Sequence, residues 1–432
     1  MTSVADLTAR EAALGEMRRL ERMRAAWQAY YGDSPAPLPV RPGAPDDNVR
    51  LNFARLIVDK GVSFLFGRGV GFELDGEARR SAAEAWLDRV WQANRKDTLL
   101  HRVAVNGGVC GHAWVRVRAG AAPGEPPRLL AVDPQTVSVR CAPDDWETPV
   151  EYRIEWHGVD PRDGGAVAFR QAIARAEGRG WSVVDQVSEG DRREWRTTRA
   201  ERWPHDWPPL VGCQNLPAPN ELWGMGDLEG DLLEVLAALS QAVSNVNRIL
   251  RLHAHPRIWT AGFTPGPDFR TAPDAVTHMP AGATMQSLEM RTDLSSSLAF
   301  IASLQEAWHE LARVPAVATG RLADIGRLSG VALQILYQPL LEKTETKRML
   351  YGDLLAELNR RLLEMGGFGG DRRTALRWPD MVPADPRAEA EAALRHRELG
   401  VSEATLMERL GFDPGLEASK RAGTAPEGAG RR

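Results

Sequence analysis

At 432 residues the chain exceeds one ordinary hydrophobic core, so it should form two or three domains, or one elongated subunit that buries surface against copies of itself. A composition that is 43% hydrophobic and 26% charged, with a net charge of −4, is that of a folded soluble protein; it excludes a disordered chain and argues against a general nucleic-acid binder. Only Lys60, Lys96, Lys343, Lys347 and Lys420 among the 54 basic residues are lysine, a bias that reads as a GC-rich genome rather than phosphate recognition.

A first helix is predicted over residues 6–29, ending at the proline- and glycine-rich stretch YYGDSPAPLPVRPGAPDDN, which reads as an exposed loop. LNFARLIVDKGVSFLF is a second helix, GVGFEL a strand, and ARRSAAEAWLDRVWQANRK and DTLLHRVAVNGGVCG two more helices. From His112 to about Gly212 the pattern changes to short β-rich runs (HAWVRVR, RLLAVD, TVSVRC, VEYRIEWH, WSVVDQV) punctuated by Gly, Pro and Asp, an antiparallel region. Trp203, Trp207 and Trp223 cluster near Pro204, Pro208 and Pro209 and are assigned to packing or a subunit contact.

Two long amphipathic helices follow. In the first, over 226–254, Leu228, Leu232, Val235, Leu236, Leu239, Val243, Val246 and Leu250 share one arc, with Ser244, Asn247, Arg248 and Arg251 opposite. Its acidic residues, Asp227, Glu229, Asp231 and Glu234, crowd the start; complementing the helix dipole and forming a purposeful acidic surface both account for this. The second, over 292–314, repeats Leu294, Leu298, Ile301, Leu304, Trp308 and Leu311, with Thr292 or Asp293 to cap it and Pro315 to end it. A Gly-punctuated segment leads to a third helix over 329–365, in which Pro339 predicts a kink. A helical hairpin (PRAEAEAALRHRELG, VSEATLMERLG) closes the chain, and residues 418–432 read as a disordered tail.

Chemical signatures are sparse. No Gly-Lys pair exists, which removes a P-loop, and GRGVG follows a helix and enters a strand, so it is a turn rather than a dinucleotide loop. Cys110, Cys141 and Cys213 lack both even number and CxxC spacing, His253 and His255 sit at a helix end, and no nucleophile elbow is present. No cofactor, metal site or catalytic residue is therefore expected. With no basic-then-apolar leader and no membrane-length apolar run, neither secretion nor a membrane partner is expected.

NLPAPNELWGMGDLEGDLLEVLAALSQAVSNV, AHPRIWTAG, MPAGATMQSLEMRTDLSSSLAFIASLQEAWHELARVPAVATG and SGVALQILYQPLLEKTETKRMLYGDLLAELNRRLL, with LNFARLIVDKGVSFLFG upstream, together resemble the portal proteins of tailed double-stranded DNA phages of the siphophage type. The resemblance implies an α+β portal fold without enzymatic activity: a homo-oligomeric ring, typically dodecameric, at one capsid vertex of the virion, assembled in the host bacterial cytoplasm. It divides the chain by order into a mixed helix and antiparallel-strand wing (1–225), a stem (226–254 and 292–314), a short clip (255–291), a tunnel loop (315–328), a long wing helix (329–377) and a helical crown (378–417). It implies stem packing through Leu228, Leu232, Val235, Leu236, Leu239, Val243, Val246, Leu298, Ile301 and Trp308. Thr319, Gly320, Arg321, Leu322, Ala323, Asp324, Ile325, Gly326 and Arg327 would form the tunnel loop, and Phe263, Pro265, Pro267 and Phe269 the partner contact of the clip. The implied partners are double-stranded DNA, the terminase large subunit, a head-to-tail adaptor, and the major capsid and scaffolding proteins. A near-neutral charge suits this reading, because a wall neutralising six to ten phosphates would grip a duplex rather than let it slide. The rivals are a cytosolic DNA-processing enzyme or nuclease, which needs clustered carboxylates and a lysine, and a coiled-coil adaptor, which needs sustained heptads.

Overall fold

The computed structural model describes residues 4–423 except 41, 44, 75–80, 123, 160–163, 177, 179, 190–193, 229, 255–256, 265–279, 289–293, 320–329, 370–371, 382–385 and 410–413. The chain divides into two compact units, Met1–Arg321 with Pro339–Pro379, and Leu322–Gln338 with Asp380–Arg432. The first unit opens with α1 (Val4–Tyr31), α2 (Phe53–Phe66), β1 (Gly71–Leu74), α3 (Ala82–Ala93) and α4 (Lys96–Cys110), all close to the predicted bounds. Asn52 caps α2 by accepting from the Arg55 N–H, and Ser81 and Glu84 form a reciprocal capping box on α3.

Helix α4 is buried along most of its length and carries two consecutive glycines, each of which weakens a helix by about 1 kcal/mol relative to alanine. Close approach explains them. A Cβ on Gly107 would meet the Tyr351 hydroxyl, and one on Gly108 would lie 2.9 Å from Asp227 Oδ2. The helix ends at Gly111, whose φ of 83° requires glycine and whose N–H closes on the Gly107 carbonyl.

Two antiparallel sheets follow. β2 (His112–Arg118) is central to a three-stranded sheet in the order β3-β2-β9, with β3 at Arg128–Val132 and β9 at Leu210–Gln214. A meander of β4 (Val137–Ala142), β5 (Asp145–Val159), β6 (Ala166–Arg175), β7 (Trp181–Glu189) and β8 (Arg196–Trp203) makes the other. Between them Trp114, Tyr152, Ile154, Ile173, Trp181, Val183, Trp203, Trp207 and Leu210 form one apolar cluster. Trp203 and Trp207 meet edge to face at 5.5 Å, so the predicted tryptophan group is indeed packing.

Strands β6, β8 and β9 were not legible as strands. β6 alternates Val167, Phe169, Gln171 and Ile173 inward, with glutamine at an inward place. β8 is an edge strand exposed at every residue but Trp203, so it needs no apolar alternation.

The long helix α7 (Gly330–Met365) runs through Pro339 and belongs to the first unit from that proline onward. Its Tyr351, Leu354, Leu355, Leu358, Leu362 and Leu363 are buried, and Trp86 and Trp91 donate to Leu362 O and Asn359 Oδ1 at 2.8 and 2.9 Å. Arg361 donates to the carbonyls of Pro208 and Leu210, and Glu364 accepts from Trp207 Nε1 at 2.9 Å, tying α7 to the tryptophan loop. β12 (Thr374–Arg377) returns to pair with β1.

The second unit contains the start of α7 and the predicted hairpin, α8 (Pro386–Glu398) and α9 (Glu403–Arg409). A further helix, α10 (Pro414–Gly423), corrects the expectation of disorder from 418: a proline opens it, and Lys420 pairs with Glu417 one turn back at 2.6 Å. The rest of the predicted tail lies outside the described residues.

Candidate functional site

Helices α5 (Asp231–Ala254) and α6 (Ser295–Ala312) pack against each other and are joined through the antiparallel hairpin β10 (Arg257–Ala261) and β11 (Thr284–Leu288). Along α5, Leu232, Leu236 and Leu239 are buried at four- and three-residue steps, while Val235, Val243 and Val246 are half-buried. On α6, Trp308 is 2% exposed and meets the Phe53 ring of α2 at 4.9 Å; Ile301 is half-buried. The same helices open out elsewhere: Leu250 is 50% exposed, and Leu298 and Phe300 are each 56% exposed.

The first long helix starts at Asp231, not at 226 as the periodicity suggested; its 24 residues rise about 36 Å. Gly230, at a φ of 61°, breaks the pattern, and the preceding segment has other partners. Leu228 is fully buried ahead of the helix rather than on its stripe. Asp227, read from the sequence either as a charge complementing the helix dipole or as part of an acidic surface, donates its N–H to Gly108 O at 2.6 Å and is buried. For α6, the N-cap is Leu294 without a side-chain cap bond, and Thr292 and Asp293 lie outside the described residues.

Asp227 is the centre of a buried charge cluster. Lys347 Nζ donates to Oδ2 at 2.6 Å, and Lys343 Nζ sits 2.9 Å from Oδ1, off the hydrogen-bonding direction, while donating to the Ala312 carbonyl at the end of α6. Burial pushes the Asp227 carboxyl up, but the two ammonium groups outweigh it and hold its pKa at about 2. Burial also lowers Lys347 to about 8, against the opposing pull of Asp227. Nearby, Tyr351 donates to Asn215 Oδ1 at 3.2 Å, and Asn215 Nδ2 donates to Met225 O at 3.2 Å. One carboxylate thereby joins the entry to α5, the exit of α6, α4 and α7. Charge patterning alone missed this cluster. The available signal was two of five lysines at four-residue spacing in an arginine-rich chain, which places both on one helical face.

The side of α5 opposite its apolar stripe is not simply solvated. Ser244 is fully buried, its Oγ accepting from Val49 N at 2.9 Å and donating to Val49 O at 3.2 Å. Asn247 donates to Asp47 O at 2.8 Å, and Arg248 and Arg251 pair with the Asp47 carboxylate at 2.7 and 3.4 Å. The segment around 47–49, predicted as an exposed loop, thus lies along this face.

Of the remaining predicted site residues, Phe263 is half-buried and its carbonyl accepts from Thr260 Oγ1 at 3.2 Å; Pro265, Pro267 and Phe269 lie outside the described residues. Thr319 ends a 3-10 turn, Ala316–Thr319, and its hydroxyl donates to Ala316 O at 2.8 Å. Gly320, Arg321, Leu322, Ala323, Asp324, Ile325, Gly326 and Arg327 lie outside the described residues. Among the described residues no group of His, Cys, Asp or Glu is placed to hold a metal ion, and no helix is long and apolar enough to cross a membrane.

Two long helices joined through a β-hairpin and packed onto an α+β body are the main architectural feature of the first unit. The sequence matches the family "Phage portal protein, SPP1 Gp6-like" over residues 15–144 and 211–415, and the chain belongs to that family, which is structural, not catalytic. No curated protein sequence matches it. Among solved structures, a chain from the neck of an empty GTA particle computed with C6 symmetry aligns at a TM-score of 0.51, with 15% identity, over 84% of this chain and 90% of that one. A chain from the virion of a native gene transfer agent (GTA) particle aligns at 0.48, with 15% identity, over 91% and 99%. The first of these likenesses supports the portal fold.

Proposed function

We propose that identical copies of this chain close into a ring, typically of twelve, at one vertex of a virion capsid, and that double-stranded DNA passes along its axis during packaging and ejection. The supporting observation is the asymmetry of the long helices: Trp308, Leu239 and the Asp227 cluster hold one stretch in the chain's own core, whereas Leu250, Leu298 and Phe300 are left open. Exposed apolar side chains recurring on two helices fit contact with neighbouring copies. A net charge of −4 suits a conduit, since strong phosphate neutralisation would arrest sliding.

In this reading α5 and α6 form the stem, 255–291 the clip, 315–328 the tunnel loop, 1–225 with 329–377 the wing, and 378–417 the crown. The clip, with Phe263, Pro265, Pro267 and Phe269, docks the terminase large subunit and later a head-to-tail adaptor; the major capsid and scaffolding proteins surround the ring. Assembly takes place in the host bacterial cytoplasm. Averaging of negatively stained purified protein should reveal rings with an axial hole wide enough for a duplex. Compact monomers or dimers alone, in solution and in assembled particles, would overturn the proposal. Replacing Arg321 and Arg327 by Glu should reduce packaging and leave rings intact; normal packaging would remove those residues from the mechanism.

A further inference from the structure

Where the apolar cluster between the two sheets ends, a cavity of about 610 Å³ opens, lined by Arg116 and Arg118 of β2, Arg128 of β3, Arg199 and Glu201 of β8, and Gln171 of β6 among others. Its charge is unbalanced. Arg118 and Arg128 face each other directly across the β2–β3 ladder, an arrangement that destabilises a strand pair unless something lies between them. Arg116 is half-buried beside them, and burial together with the neighbouring Arg118 lowers its pKa. Two carboxylates line the same cavity, Glu201, which accepts from Arg199 at 2.5 Å, and Glu125, which accepts from the Ala122 N–H at 3.2 Å; Asp185 accepts from Gln171 Nε2 at 2.5 Å, and Asp185 and Glu201 offset the lowering of Arg116 only in part. Among the described residues, no carboxylate forms an ion pair with Arg116, Arg118 or Arg128.

Guanidinium groups that line one cavity without a direct ion pair match the geometry of phosphoryl oxygens, which they bind through paired, charge-assisted hydrogen bonds. One wall, with Gln171, Arg199 and Glu201, lies in the stretch between 144 and 211 that the family match skips; the other, with Arg116, Arg118 and Arg128, lies in the matched part. The site is therefore built where the stretch outside the family match meets the matched part of the chain. We propose that Arg116, Arg118 and Arg128 form a binding site for a phosphoryl-bearing anion, with Arg116 as its floor and the other two as its rim. The site is complete within one chain, so it stands or falls independently of ring formation.

Isothermal titration of the purified full-length chain with pyrophosphate, at constant ionic strength, tests this. The expected result is saturable binding of one anion per chain, weakened at least tenfold in Arg116→Gln and in the double variant Arg118→Gln/Arg128→Gln. The double variant changes only exposed side chains, so it decides the matter should Arg116→Gln fail to fold. Absence of saturable heat above a chloride control overturns the site, as does undiminished binding in the double variant. Equal binding of an acidic peptide overturns its assignment to phosphoryl groups. Competition with a duplex oligonucleotide identifies the source: displacement of pyrophosphate assigns the site to backbone phosphate, and no displacement to a free phosphorylated molecule.

Discussion

The two ends of the long helix pair obey different rules. Near the start of α5 and the end of α6, Leu232, Leu236, Leu239, Trp308 and Ala312 are buried and Asp227 holds two lysines in place, with Leu311, 49% exposed, the exception on that stretch. Toward the hairpin the same periodicity continues without cover, leaving Leu250 and Leu298 open, and Phe300 is exposed on another side of α6. Identical sequence logic thus serves folding at one end and, in the proposed ring, association at the other. The difference is not hydrophobicity but whether the chain's own α2, α4 and α7 reach that face.

The largest effect expected from breaking this contrast comes at Asp227. Asp227→Ala leaves two ammonium groups buried without a counter-ion, and loss of about 3–5 kcal/mol of unfolding free energy is expected in chemical denaturation. A loss below about 1 kcal/mol would show that water reaches the lysines. Trp308→Ala should cost about 3–5 kcal/mol, because a fully enclosed ring is replaced by a cavity. Leu298→Ser/Phe300→Ser should move chain stability by no more than about 0.5 kcal/mol, these being exposed positions, yet impair assembly by sedimentation. Intact rings from that double variant would remove the open face from the interface.

The pH response sharpens the same point. Asp227 has a folded-state pKa of about 2, below its ordinary 3.8, so its contribution is complete above the unfolded value and is lost as pH falls through the folded one. Asp227→Asn should flatten acid destabilisation between these two values relative to the unaltered chain. Lys347 acts at the other end of the scale: with its pKa lowered from 10.5 to about 8, the unfolded state binds more protons between these values, so its contribution rises with pH across that window. Lys347→Met should abolish that slope in denaturation curves. Among the buried positions the smallest effect is expected at Ser244→Ala, about 1 kcal/mol, for the lost pair of hydrogen bonds to Val49.

Local physics made much of the architecture legible. Helical periodicity placed α2, α4, α5 and α6 within a few residues, and Gly and Pro punctuation marked the start of the β region. The failures share a cause: the missed structure depended on residues distant in sequence. β8 lacks alternation because it is an edge, and its pairing with β7 alone makes it a strand. From neighbouring residues Asp227 reads only as a dipole-complementing charge or part of an acidic surface; α7, more than a hundred residues on, delivers two lysines to it. Ser244 looked solvent-facing until the segment around Val49 lay across it.

The sequence by itself determined the family, the order of the helices as far as α9 and the two long helical stripes, because each is written in neighbouring residues as period, cap or breaker. Only the tertiary structure decided which part of each stripe is sealed, where the buried Asp227 carboxylate finds its counter-ions, and that several arginines line one cavity. Burial and counter-ion pairing are properties of surfaces brought together from far along the chain, and short-range periodicity carries no record of which surfaces meet.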